Sequence, residues 1–247
     1  MADSLVIIPM YNEKENASSI IEAVLKLHVE FDILVIDDNS PDGTAAIVKD
    51  KVKEYPGRVN IIERAGKLGL GTAYIEGFKW GLEHGYEYIC EMDADFSHNP
   101  EDLPRLREPL AEGRADVTVG SRYVSGVNVV NWPMGRVLMS YYASKYVRIV
   151  TGLRVKDTTA GFVCYRAEVL KAMNLDNIKF KGYAFQIEMK FTARQLGFRI
   201  EEVPIVFVNR VLGTSKMNSG IFGEALFGVI KLKWSALTGS LKKRHQK

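Results

Sequence analysis

Tyr88-Ile89-Cys90-Glu91-Met92-Asp93-Ala94-Asp95-Phe96-Ser97-His98 is the stretch that decides how this 247-residue chain is read. Its apolar start has the character of a strand over 88–92, and two carboxylates stand at the exit. In an open α/β sheet, ligands bind beyond the carboxyl ends of the strands. Two aspartates one residue apart reach a common point there only if the chain leaves its extended form. Packed closely they repel, and a divalent cation removes the conflict. All-oxygen ligation suits Mg²⁺ or Mn²⁺, ions that bridge a few carboxylates to substrate phosphates. The competing reading is a solvated pair capping the helix that Asn99-Pro100-Glu101-Asp102 opens, and so short a triplet does not choose between them.

Outward from this stretch, the first 125 residues alternate two kinds of segment. Residues 5–8, 32–36, 59–63 and 116–120 are further short apolar runs. Residues 15–27, 44–54, 71–84 and 103–112 have helical spacing. Strands that are apolar throughout, separated by amphipathic helices, predict a parallel sheet covered on both faces, a doubly wound α/β domain. The second half differs. Residues 134–150 keep a helical period but set Arg136, Lys145 and Arg148 among Leu138, Tyr141, Tyr142, Tyr146 and Ile149. Residues 221–234 are apolar with Lys231 and Lys233, and Lys242-Lys243-Arg244-His245 follows. Such segments are too short to span a bilayer. They suit a membrane interface, or a core with snorkelling lysines. The interface is the expectation for 221–234, and both readings stay open for 134–150.

Bulk properties narrow the classes. Hydrophobic residues make up 47% of the chain, enough for a sizeable core. A net charge of +3 implies no polyanion-binding surface, so nucleic acid is not an expected partner. Cys90 and Cys164 lie far apart in apolar runs and read as separate buried thiols. No signal-peptide pattern precedes the first strand, and no run of about eighteen uncharged apolar residues occurs. A cytoplasmic location is expected.

The turns at the strand ends carry the candidate chemistry. In Pro9-Met10-Tyr11-Asn12-Glu13, Tyr11 can stack on a base and Glu13 can accept from a base or ribose; the alternative is a helix start capped by Asn12. Asp37-Asp38 ends the second strand, where acids of dinucleotide sites meet ribose hydroxyls. With Asp42-Gly43 it is equally a turn. Lys67-Leu68-Gly69-Leu70-Gly71-Thr72 matches neither a dinucleotide fingerprint nor a P-loop, and its glycines permit a tight loop into a helix.

Taken in order, Pro9-x-Tyr11-Asn12-Glu13, Asp37-Asp38-x-Ser40-x-Asp42-Gly43-Thr44 and Asp93-x-Asp95 resemble the inverting glycosyltransferases of the GT-A fold, family 2. Within that family, Gly69-Leu70-Gly71-Thr72-Ala73-Tyr74, Gly120-Ser121-Arg122-Tyr123 and Asp157-Thr158-Thr159-Ala160-Gly161-Phe162 are similar to dolichyl-phosphate or polyprenyl-phosphate mannosyltransferases without transmembrane anchors. The resemblance implies a Rossmann-like, doubly wound, mixed but mostly parallel sheet with helices on both faces. It implies a catalytic domain over 1–220, with a nucleotide-sugar half to about 125 and an acceptor half over 126–220, then an amphipathic basic membrane-interface segment over 221–247. It implies transfer of mannose from GDP-mannose to a polyprenyl or dolichyl phosphate with Mg²⁺ or Mn²⁺. The protein would lie peripherally on the cytoplasmic face of a membrane, with room for an anchoring partner.

Site roles follow from the resemblance position by position. Pro9, Tyr11 and Glu13 would hold the guanine nucleotide, and Ile36 and Asp38 would meet base and ribose. Asp93, Ala94 and Asp95 would hold the metal and diphosphate. Some relatives carry Gln where this chain has Ser97, so a third metal contact is not implied there. Arg122, Arg210 and Lys216 would face the phosphates, and Arg136 and Ser140 the lipid phosphate. A phosphate acceptor needs no general base, because a monoester with a second pKa of about 6 is largely dianionic at neutral pH. Read from the residues alone, Arg122 serves the site or salt-bridges a strand-end acid, Asp157 is a cap or turn residue or a sugar or metal contact, His98 starts a helix or binds metal, and Glu188 is structural. The remaining alternatives are a family 2 enzyme for another sugar or acceptor, and a nucleotide-binding membrane adaptor.

Overall fold

The structure, a computed structural model, describes residues 2–209 and 221–245. The central strand β1 (Ser4–Met10) pairs in parallel with β2 (Asp32–Asp37) on one side and β4 (Tyr88–Glu91) on the other. Strand β3 (Val59–Glu63) extends the sheet beyond β2, and β5 (Val117–Ser121) pairs in parallel with β8 (Ile200–Pro204). Between these blocks, β7 (Val163–Arg166) runs antiparallel to both β4 and β5. The order is β3-β2-β1-β4-β7-β5-β8, a mixed and mostly parallel sheet. A two-stranded ribbon of β6 (Val129–Val130) and β9 (Phe207–Val208) lies apart from it.

The strands are apolar on both faces because both are covered. Leu5 and Ile7 of β1 pack toward α3 (Leu70–Glu83), α6 (Ala167–Ala172) and α7 (Tyr183–Gln195). Val6, Ile8 and Met10 pack toward α1 (Ala17–Leu25), α2 (Thr44–Glu54) and α4 (Leu103–Ala111). Each such side chain, fully buried, contributes about 1.5–3 kcal/mol. The strand at 59–63 and the helix at 44–54 form as the periodicity predicts. The helix expected over 15–27 starts later, because Glu13 O accepts from both Asn16 N and Ala17 N at 2.9 Å and closes a turn first.

Two sequence expectations change here. Cys90 and Cys164 are not separate thiols: they stand directly opposite across β4 and β7 and are joined as a disulfide. Gly71 does more than loosen a loop. A Cβ there would lie 2.8 Å from the Phe185 ring and 3.1 Å from Phe180 O, so the absence of a side chain lets α3 and the start of α7 approach. Glu188 is structural, as expected. Its buried carboxylate accepts from Lys179 N at 2.8 Å and Phe180 N at 3.0 Å, holding the turn before α7.

The helix α5 (Met134–Thr151) joins α8 (Ile221–Leu237) and α9 (Ser240–His245) against α7. Val147, Ile187, Phe191, Val229, Leu232 and Leu241 form this smaller core. Among the described side chains of α8, apolar residues point both ways. Val229 and Leu232 turn inward, while Phe227 (75% exposed) and Trp234 (69%) turn outward with Ile230 and Leu237. On α5, Met134, Leu138, Tyr142 and Ile149 are likewise exposed. Lys233 Nζ donates to Thr151 O at 3.2 Å, satisfying a carbonyl at the end of α5. Among the described residues, no helix is long and apolar enough to cross a membrane.

Candidate active site

The parallel strands deliver their carboxyl ends to one edge of the sheet. Antiparallel β7 begins at that edge and brings residues 157–162 to it. The loops bearing Tyr11 and Glu13, Asp38, Asp93 to Asp95, and Arg122 therefore converge.

The loops after β1 and β2 are laced together. Asp38 N donates to Met10 O at 3.0 Å, Asn12 N to Ser40 Oγ at 3.0 Å and Glu13 N to Thr44 Oγ1 at 3.0 Å. Asp37 accepts from Ser40 N and Oγ, and Asp42 from Thr44 N and Oγ1, so these two acids are turn residues. Asp38 is not. Its nearly buried carboxylate takes Arg64 Nε at 2.6 Å, and Arg64 in turn donates to Thr72 Oγ1 at 2.8 Å. Burial pushes the Asp38 carboxyl up, with Arg64 opposing. Arg64 thus aims the acid at the site edge, a role its position after the third strand did not announce. The Ile36 side chain is fully buried, so any ligand contact from that position is through its main chain. Pro9 pairs with Ile36 in register. The Lys67 ammonium sits 5.0 Å from the Tyr11 ring centroid, and Glu13 accepts from Asn16 Nδ2 at 3.0 Å.

The loop after β4 folds back on itself. Phe96 takes a left-handed conformation (φ 56°), and Ser97 N donates to Asp95 Oδ1 at 3.0 Å. His98 is neither a simple helix starter nor placed as a ligand through Nδ1, since that nitrogen accepts from Asp93 N at 3.2 Å. Burial drives its pKa down to about 4, so the imidazole is a neutral acceptor stacked 4.7 Å from Phe162. Asp95 is nearly buried, whereas the Asp93 side chain is 39% exposed. Among the described residues, no group of three or more His, Cys, Asp or Glu is arranged to hold a metal ion by itself. Two hard carboxylates on one loop nevertheless fit an ion that completes its shell with water and substrate phosphate. A cavity of about 900 Å³ opens beside the loop, lined in part by Glu15, Asp95, Phe96, Val206 and Asn209.

Arg122, after β5, meets Asp157 as a buried fork. Its Nε and Nη2 each donate at 2.7 Å, and its own N–H at 3.0 Å. Burial alone would raise the Asp157 carboxyl; Arg122's charge and hydrogen bonds outweigh it and hold the group below 3.8. Asp157 is therefore more than a cap: it fixes a guanidinium at the site edge. Deeper lies a second pair that sequence reading missed inside an apolar run. Glu91, the last residue of β4, accepts from Gln186 Nε2, and buried Lys190 donates to Ala160 O at 2.6 Å. Burial pushes Glu91 up and Lys190 down. Arg136 lies on α5 with its guanidinium 3.2 Å from Asn209 Oδ1, and Ser140 follows one turn later, beside the Tyr123 hydroxyl. Arg210 and Lys216 lie outside the described residues.

Residues 5–173 match the family model described as glycosyl transferase family 2. The chain belongs to glycosyltransferase family 2. It is 48% identical over 241 residues to the undecaprenyl-phosphate mannosyltransferase of Micrococcus luteus, covering 96% of this chain and 98% of that one. It is 46% identical over 226 residues to the polyprenol monophosphomannose synthase of Mycolicibacterium smegmatis, covering 92% and 85%. Among solved structures it is similar to glucosyl-3-phosphoglycerate synthase from Mycobacterium tuberculosis in complex with Mn²⁺, UDP and glucosyl-3-phosphoglycerate. There the TM-score is 0.65 at 18% identity, covering 94% of this chain and 78% of that one. The same synthase with Mg²⁺ and UDP matches equally, at a TM-score of 0.65. At that identity the likeness speaks for the fold, the GT-A arrangement expected of the family.

Proposed function

We propose that this glycosyltransferase moves mannose from GDP-mannose to a polyprenyl or dolichyl monophosphate at a membrane surface. The observation that carries the reading is near full-length identity of 48% and 46% to two relatives whose names join mannose to a polyprenyl carrier. The site chemistry agrees. A dianionic acceptor oxygen attacks C1 of mannose, the bond from C1 to the GDP oxygen breaks, and GDP leaves; one displacement inverts the centre and needs no protein base.

In this proposal Pro9, Tyr11, Glu13, the Ile36 main chain and Asp38 receive the guanosine, with Arg64 holding Asp38 in place. Asp93, Ala94 and Asp95 hold Mg²⁺ or Mn²⁺ with the diphosphate; when bound, the ion supplies charge neutralisation of the leaving group. Arg122, oriented by Asp157, faces the phosphates. Arg210 and Lys216 keep the same assignment, and Arg136 and Ser140 face the acceptor phosphate. The exposed apolar faces of α5 and α8 rest on the cytoplasmic leaflet. One such helix binds only marginally, which leaves a use for an anchoring partner.

The test is transfer of labelled mannose from GDP-mannose to solvent-extractable lipid, with and without Mg²⁺ and chelator. Transfer that requires the ion, disappears in Asp95→Asn and yields inverted product is expected. Preference for UDP-glucose, retained configuration or full activity in Asp95→Asn would overturn, respectively, the donor, the single displacement and the metal site.

A further inference from the structure

Trp132, which the functional reading leaves without a role, carries two guanidiniums on one indole. The Arg136 guanidinium carbon lies 4.0 Å from the ring centroid and that of Arg122 5.4 Å. Stacking on tryptophan is the strongest common cation–π arrangement and fixes the orientation of an otherwise mobile side chain. The ring is itself fixed. Phe207 meets it edge-on at 5.1 Å, and Phe207 belongs to the β6–β9 ribbon. That ribbon is tied to Arg122 through Asn128 N, which donates to Arg122 O at 2.9 Å, and to the loop after β4 through Val208 N, which donates to Ser97 O at 3.3 Å. One rigid frame thus connects the aspartate loop, Arg122 and Arg136.

A second observation points to a ligand. The indole Nε1 is buried, and no hydrogen-bond partner for it exists among the described residues. Natural structures seldom leave a buried donor unanswered unless something else answers it. Arg122 is already paired with Asp157, so the Arg136 guanidinium and the unanswered N–H on the same ring are the complement of an anion with several acceptor oxygens.

We propose that Trp132 positions Arg136 for the terminal phosphate of the acceptor and donates its indole N–H to a phosphate oxygen once the acceptor enters. This rests on the reading that the acceptor is a prenyl monophosphate. The test uses the full chain, a short prenyl monophosphate and its matching prenol. KM for acceptor and donor, kcat, GDP affinity and thermal unfolding are measured for Trp132→Phe, which keeps a ring face but loses the N–H, and for Trp132→Leu, which loses both. Trp132→Phe is expected to raise acceptor KM about ten-fold, the worth of a hydrogen bond to a charged group. Trp132→Leu is expected to raise it roughly a hundred-fold, adding the lost stacking. In Trp132→Phe, which keeps a ring face against Arg122, donor KM and GDP affinity stay as in the wild type. Unchanged acceptor KM in Trp132→Phe, or equal rises in donor and acceptor KM, overturns the inference, the second because a ring with only a structural role behaves that way. If Trp132→Leu does not fold, Trp132→Phe decides. If the wild-type chain ignores prenyl monophosphate, the functional reading fails first and this inference falls with it.

Discussion

Replacing Asp157 by Asn tests whether Arg122 is held by charge. Asp157 is fully buried, and three donors from Arg122 converge on it. Asparagine keeps the shape but removes the charge and one acceptor, leaving a guanidinium that is itself only 8% exposed without its counterion. Breaking a buried ion pair on one side costs about 3–5 kcal/mol, less than the sum of its hydrogen bonds because these are not additive. For a chain of this length that lowers the melting temperature by roughly 6–20 °C. The pH dependence has a definite sign. The folded carboxyl is held below its ordinary 3.8, so its stabilisation is fully present above that value and is lost as pH falls through the folded pKa. Urea unfolding at pH 7 should show the deficit, and the gap between wild type and variant should close below about pH 4. A loss under about 1 kcal/mol at pH 7, or a gap that widens in acid, refutes the reasoning.

Three further outcomes are expected. Arg64→Lys replaces the fork on Asp38 by a single ammonium and should raise donor KM about ten-fold with little change in kcat, read by steady-state kinetics; an unchanged KM removes Asp38 from the nucleotide site. Gly71→Ala places a methyl 2.8 Å from the Phe185 ring; overpacking of this kind costs about 1–3 kcal/mol, and calorimetry showing no shift would falsify the close-approach argument. The double change Phe227→Ser and Trp234→Ser strips two outward side chains and should weaken sedimentation with anionic vesicles about ten-fold while leaving stability within about 0.5 kcal/mol, whereas retained binding removes α8 from the membrane face.

The strands and helices of the first half were legible because each buries a periodic face over many residues, as in α2 and β3. The strand ends were legible as a candidate site because topology places ligands there whatever their identity. What was hidden depends on partners far apart in sequence. Arg64 and Asp38 are 26 residues apart, Arg122 and Asp157 are 35, and Gln186 and Glu91 are 95. Glu91 lies in an apolar run with no partner nearby in sequence, and only the fold supplies the glutamine that answers it. The same holds for Cys90 and Cys164, which spacing alone left unconnected. His98 was read from its neighbours as a helix start, while the φ of Phe96 turns it back under Asp93.

Strand β7 has a consequence for how the chain is made. It fills the gap between β4 and β5, yet it lies 74 residues beyond its partner on β4, the separation of the two cysteines. At a synthesis rate of about 5–20 residues per second, the growing polypeptide carries an unpaired β4 edge, apolar but for Glu91, for roughly 4–15 s. Such an edge is a template for other chains. A fragment ending near residue 125 keeps that edge permanently. The first half is therefore not a portable module, and the sheet is closed only when the later half returns with β7.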